Sequence, residues 1–214
     1  MKYEITNEKK LVNELVNGLT LYRIKALKNF SKVRAGDLGG WIEGELNLSQ
    51  EGNAWVTGDA QVYGKARVYG DALVYGDALV YGNGFGDARV YGDARVYGKA
   101  LVFGKANVYG NAKVDGKAKV AGNAKVYGDS VVSGDAWVSG NAWVTGNAWV
   151  DGNAKVYGDS VVSGDAWVSG NAWVYGNAKV DGKAKVAGNA KVYGDSVVSG
   201  DARVSGDDWV SGKE

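Results

Sequence analysis

The chain has 214 residues, a formal net charge of +1, 34 glycines and no proline, cysteine or histidine. The near-neutral charge offers no field to draw it to nucleic acid or anionic lipid, and the missing cysteine excludes both a disulfide framework and a thiolate site. The missing histidine excludes any Ser-His-Asp arrangement and the common histidine zinc sites.

At the N-terminus, "MKYEITNEKKLVNELV" has no continuous apolar stretch of the kind a signal peptide needs. No later run approaches the length of a membrane span, so a cytoplasmic protein is expected. "TLYRIKAL", residues 20–27, alternates and follows Asn17-Gly18, which predicts a hairpin or edge strand. "DLGGWIEGELNLSQEGNAWV" then leads into a periodic region. Ile42 and Leu48 are in phase with each other, and two extra residues near Gly52 precede Val56. We expect residues 1–40 to form a capping segment over the open edge and first core layer, and residues 41–214 to form one repetitive body.

From Asn53 the unit is [D/N/K]-A-x-V-x-G, with 26 valines on the beat: Val56, Val62, Val68, Val74 and Val80, then every sixth residue from Val90 to Val210. In A-x-V-x the side chains alternate, so Ala and Val share one face and the variable positions the other. Glycine followed by Asp, Asn or Lys supplies a corner. A single repeat cannot bury its valine, so stacking must create the core. The break at residues 83–86, "NGFG", is expected to be a shortened side with Phe85 in the place of the missing valine. Its likeness to a phosphate loop is superficial, because no Lys-Ser/Thr pair or helix follows it.

The order V-x-G-[DN]-A-x resembles the hexapeptide repeat of left-handed parallel β-helices. The resemblance implies an all-β solenoid of triangular coils, three hexapeptides to a coil. The leader before Val56 also resembles that of phage- and prophage-type hexapeptide proteins that lack a catalytic role. Enzymes of the family are mostly acyltransferases with a catalytic histidine or carbonic anhydrases with three zinc-binding histidines. Neither set of residues can be carried over to a chain without histidine.

An 18-residue coil has support in the corner residues. One column reads Asp93, Asn111, Asp129, Asn147, Asp165, Lys183, Asp201, and another Asp135, Asn153, Asn171, Asn189, Asp207. From Lys99 onward no two aspartates lie 18 apart, as expected if like charges at strand spacing repel. Earlier, Asp59, Asp77 and Asp93 are expected in one column, as a solvated row balanced by arginines such as Arg67 and Arg95 rather than a cation site. Asp208 replaces an inward alanine, so its coil should be terminal and wet.

The outward positions on one side read Leu101, Lys119, Trp137, Lys155, Trp173, Lys191, Trp209 before the valine. After it they read Phe103, Ala121, Ser139, Tyr157, Tyr175, Tyr193, Ser211. A second side carries Trp149 under Trp167, and the third a tyrosine ladder, Tyr75, Tyr91, Tyr109, Tyr127. Two readings stand. Ladders stabilise adjacent rungs and arise by duplication, as "NAKVYGDSVVSGDAWVSGNAWV" does at both Asn123 and Asn153. Alternatively, a strip of aromatics and cations forms a recognition face.

The expectation is a non-enzymatic scaffold, needing no cofactor or metal. It would bind a protein partner or a second copy through Trp137, Lys155, Tyr157, Trp173, Tyr175, Lys191, Tyr193 and Trp209, with nucleic acid and membrane disfavoured. The alternatives are a phage accessory protein that sequesters a host defence protein or nucleotide signal, and a degenerate hexapeptide-type acyltransferase.

Overall fold

A computed structural model describes residues 1–12, 18–82 and 86–212. Strand β1 (Tyr3–Leu11) pairs antiparallel with β2 (Thr20–Ala26), and β2 with β3 (Leu38–Ile42). After a short 3-10 turn at Glu45–Asn47, 26 short strands follow, from Trp55–Val56 to Trp209–Ser211. They assemble into three parallel sheets of a β-solenoid, which we call faces I, II and III in the order the chain visits them. Val62 lies on face I, Val68 on face II and Val74 on face III. Rungs pair 18 residues apart, as Lys119 with Trp137, Lys125 with Trp143 and Val131 with Trp149.

The inward Ala–Val pattern makes the core. Valines and alanines from Ala54 to Val192 have no exposed surface beyond 1% at their inward positions. Burying one such valine contributes about 1.5–3 kcal/mol relative to exposure. Serine replaces the inward alanine at three positions: Ser130 donates to the Tyr127 carbonyl and Ser160 to that of Tyr157, each at 2.9 Å, whereas the buried Ser196 hydroxyl has no partner among the described residues. Asp208 is exposed, as expected for its coil.

Corners are set by glycine for two reasons at once. Gly134 has φ +66, and a Cβ there would lie 2.8 Å from the carbonyl oxygen of Gly152 in the next coil. A side chain is therefore opposed both by backbone conformation and by the stacked corner. Beside the glycines, asparagine amides bridge successive coils. Asn111, Asn141, Asn147, Asn177 and Asn189 each donate to the carboxylate 18 residues on, at 2.7–2.9 Å. The alternation of Asp with Asn thus replaces repulsion with a charge-assisted hydrogen bond.

The break departs from expectation. Leu79 pairs with Leu101, Arg67 with Arg89 and Leu73 with Arg95, each 22 residues apart rather than 18. Residues 83–86 are thus four additional residues at the corner between faces I and II, not a shortened side. The reason is energetic. Extra residues at a corner leave all three ladders intact, whereas a shortened side leaves a rung without its inward valine. Phe85, expected in that valine's place, lies outside the described residues. The corner columns shift accordingly. Asp77 stacks below Lys99 and Asp93 above Asp71, so Asp59, Asp77 and Asp93 do not form one column. Among the described residues no group of three or more acidic side chains is placed to hold a metal ion.

The two extra residues before Val56 are accommodated as the sequence suggests, with Leu48 bridging to Val68. The boundary drawn at residue 40 falls inside β3, which is both the last antiparallel strand and the first rung of face I. Tyr3, Ile24 and Ala26 join the solenoid's apolar core. Lys2 is buried, and its ammonium donates to the carbonyls of Ala54 at 2.8 Å and Glu51 at 3.3 Å. It thereby meets backbone acceptors that no earlier rung reaches. Burial is the main cause that lowers its pKa to about 8. Among the described residues no helix is long and apolar enough to cross a membrane.

Two substitutions test the inward assignment and the corner. Val144→Asp places a carboxylate at a position with no exposed surface and is expected to abolish the cooperative thermal transition. Gly134→Ala should fold but lose about 1–2 kcal/mol, from the positive φ alone, with more from the contact with Gly152. Denaturant titration of both variants measures this, and an unchanged midpoint in either contradicts the assignment.

Candidate functional site: the aromatic and lysine face

Face I brings every expected site residue onto one strip. Trp137, Lys155, Trp173, Lys191 and Trp209 occupy consecutive rungs at one register position. Tyr157, Tyr175 and Tyr193 form the adjacent column. Their rings are parallel, with centroids 5.1 and 5.2 Å apart. Trp173 meets Tyr157 edge-on at 6.3 Å, and Trp209 meets Tyr193 edge-on at 6.4 Å.

The lysines lie on the indoles. The Lys155 ammonium is 4.8 Å from the Trp173 ring centre, and Lys191 lies 5.4 Å from Trp173 and 4.4 Å from Trp209. Lys119 sits 5.6 Å from Trp137. Such contacts contribute about 0.5–1 kcal/mol at exposed sites, and they cover ring surface that a cationic or sugar ligand needs. Trp137 is 42% exposed and Trp209 65%, while Trp173 is half-buried between its lysines. Trp137, Ser139, Lys155, Tyr157 and Trp173 line an open groove of about 230 Å³. Its shape suits part of a flat interface better than a pocket that encloses a small ligand.

The other faces repeat the motif. On face II, Lys125 lies 4.5 Å over Trp143, which meets Tyr127 edge-on at 6.3 Å. On face III, Trp149 lies beside Trp167 at 6.2 Å, and Lys185 is 5.4 Å over Trp167. The Lys125–Trp143 pair was legible from the same 18-residue spacing that defined face I. The tyrosine ladder of face II is Tyr69, Tyr91, Tyr109 and Tyr127, with centroids 4.8–4.9 Å apart. Tyr75, expected in it, stacks instead on Tyr97 of face III at 4.8 Å, because the four inserted residues delay the coil. Nor are all outward positions exposed. Trp55 is buried against Tyr3 and Phe30, and Trp41 and Tyr63 are buried with Leu21, because the antiparallel strands fold over this end.

Two comparisons with known proteins bear on this geometry. A family model described as "YdcK Beta solenoid repeat" matches residues 60–76, 66–82 and 88–104. A relative named "Uncharacterized acetyltransferase YdcK", from Escherichia coli (strain K12), is 37% identical over 59 residues, which is 26% of this chain and 18% of the relative. The chain therefore spans a minor part of that protein's length. Together with the stacked rungs, these matches place the chain among β-solenoids built on a hexapeptide-like repeat.

The tyrosines carry a pH signature. Burial is the largest cause that raises Tyr63 to about 12, with Tyr81 adding to it. Tyr97 is also raised to about 12, by desolvation first and then by the neighbouring Asp115 carboxylate. Above pH 10 the unfolded chain releases phenolic protons that the folded chain keeps. Their contribution is thus complete below pH 10 and is lost as pH rises towards 12. We expect the melting temperature to fall across that window, and to fall less in the double variant Tyr63→Phe, Tyr97→Phe. Identical pH profiles for the two proteins contradict this assignment.

Proposed function

We propose that the protein is a rigid, non-catalytic β-solenoid that binds a protein partner, foremost a second copy of itself, through face I. The observation that carries this reading is the exposure of Trp137 and Trp209 on one strip with Trp173 and its lysines. Trp137 and Trp209 lie four rungs apart, roughly 19 Å at the strand spacing, the reach of a small interface. The order Trp-Lys-Trp-Lys-Trp reads the same in both directions. A copy turned end for end and shifted by one rung sets each lysine level with a tryptophan, which is the self-complementarity a two-fold interface needs. The chain's lack of histidine and cysteine supports a role without imidazole or thiol chemistry. On this reading it is a cytoplasmic protein, and the resemblance of its leader suggests a phage or prophage setting.

A second reading, acyl transfer, rests on the name of the acetyltransferase relative. It requires a proton acceptor other than imidazole, and transfer from acetyl-coenzyme A that survives purification and depends on one aspartate would favour it.

Sedimentation velocity separates recognition from ladder stability. Aromatic anchors contribute 2 kcal/mol or more each to association, whereas ladder contacts contribute about 0.2–1 kcal/mol to folding. The triple variant Trp137→Ala, Trp173→Ala, Trp209→Ala is expected to keep the β-sheet circular dichroism and sediment as a monomer where the wild type is dimeric. A wild type that is monomeric and loses no lysate partner on this change contradicts the proposal.

A further inference from the structure

Face II carries a feature that face I does not explain. Arg67 and Arg89 occupy directly paired positions on adjacent rungs, brought together by the 22-residue coil. Like charges at strand spacing repel, and cations are also paired on face III at Arg95–Lys113 and Lys185–Arg203; the arginine pair differs in the groove beside it. Within the described residues only one of the two has a carboxylate partner. Among the described residues Arg67 has no carboxylate within 4.0 Å, and Arg89 has only a 3.9 Å contact to Asp87. Both arginines are exposed and line a groove of about 430 Å³.

The adjoining rung is the segment that bridges into face II at Leu48. It contributes Leu46, Ser49 and Glu45 to the groove, and Tyr69 lies on the arginine side. The Ser49 oxygen accepts from the Glu51 amide at 3.0 Å, which leaves its hydroxyl proton free to donate into the groove. Leu46 is 81% exposed, and Tyr69 is held by its stack on Tyr91. The groove therefore combines two planar cations, one hydroxyl donor and an exposed apolar side chain in an open depression of about 430 Å³.

We propose that this groove binds a phosphorylated small molecule, its phosphoryl dianion shared by Arg67 and Arg89 and its body resting on Leu46 and Tyr69. Guanidinium forks match phosphoryl oxygens two at a time, and a doubly charged oxyanion answers two cations better than a carboxylate does. Glu45 is the one carboxylate on the lining. It pairs with neither arginine, so it opposes the ligand rather than completing the site.

Isothermal titration at fixed ionic strength tests this with inorganic phosphate, adenosine monophosphate and acetate as the three probes. We expect adenosine monophosphate to bind more tightly than phosphate, and phosphate more tightly than acetate. Arg67→Ala and Arg89→Ala should each weaken phosphate at least tenfold with an unchanged circular dichroism spectrum. Arg67→Lys should recover part of the loss, and Glu45→Gln should tighten binding severalfold. Phosphate binding no tighter than acetate, or unaffected by both alanine variants, overturns the site. Adenosine monophosphate binding no tighter than phosphate overturns the role given to Leu46 and Tyr69.

Discussion

The approach of one glycine corner to the next is the constraint on which the molecule rests. A Cβ at most of the repeat glycines would lie about 3 Å from the backbone of the next coil's corner, so the corners leave no room for a side chain. The corners thus hold the rungs in a fixed register, and in that register alanine and valine meet as an unbroken apolar column. The outward side chains inherit the same order. Tyrosines stack with parallel rings and lysines settle on indoles because the backbone repeats beneath them.

This explains why so much was legible in the sequence. The valine beat and the glycine corner both act within six residues, so a linear reading finds them. The absence of stacked aspartates after Lys99 supported the 18-residue coil that the family resemblance implied, and the structure supplies its cause in the asparagine-to-carboxylate bonds, such as Asn147 to Asp165. The break at residues 83–86 was harder to read. Whether a short irregular stretch replaces a side or is added at a corner depends on ladder pairing across the coil, which no local pattern records. The difference moved Tyr75 to another face and separated Asp93 from Asp77. For the same reason the Arg67–Arg89 pair was invisible to a reading in steps of 18. The burial of Trp55 and the ammonium of Lys2 on the Ala54 carbonyl depend on strands that return from a distance.

The aromatic faces gain their meaning from contrast. Near the N-terminal strands, large rings at outward positions are covered by the chain itself, as Trp55 is by Tyr3 and Phe30. Farther along the solenoid the same positions carry tryptophans that lysines and neighbouring rings cover only in part. Ladder stability accounts for the contacts along the rod but not for the indole surface that stays exposed at Trp137 and Trp209. The proposed self-association gives that surface a partner, and the proposed anion site would give face II a separate role at the other end of the rod.

Rung register underlies the faces, the strip and the groove alike, and engineered cysteine pairs test it directly in a chain with no cysteine of its own. Disulfides need Cα atoms about 4.4–6.8 Å apart, a condition met by adjacent rungs at roughly 4.8 Å. Under mild oxidation, the pair Tyr75→Cys with Tyr97→Cys should form an intramolecular disulfide, and Tyr75→Cys with Tyr91→Cys should stay reduced. The reverse outcome, with the second pair joined and the first free, would contradict the 22-residue coil and every face built on it.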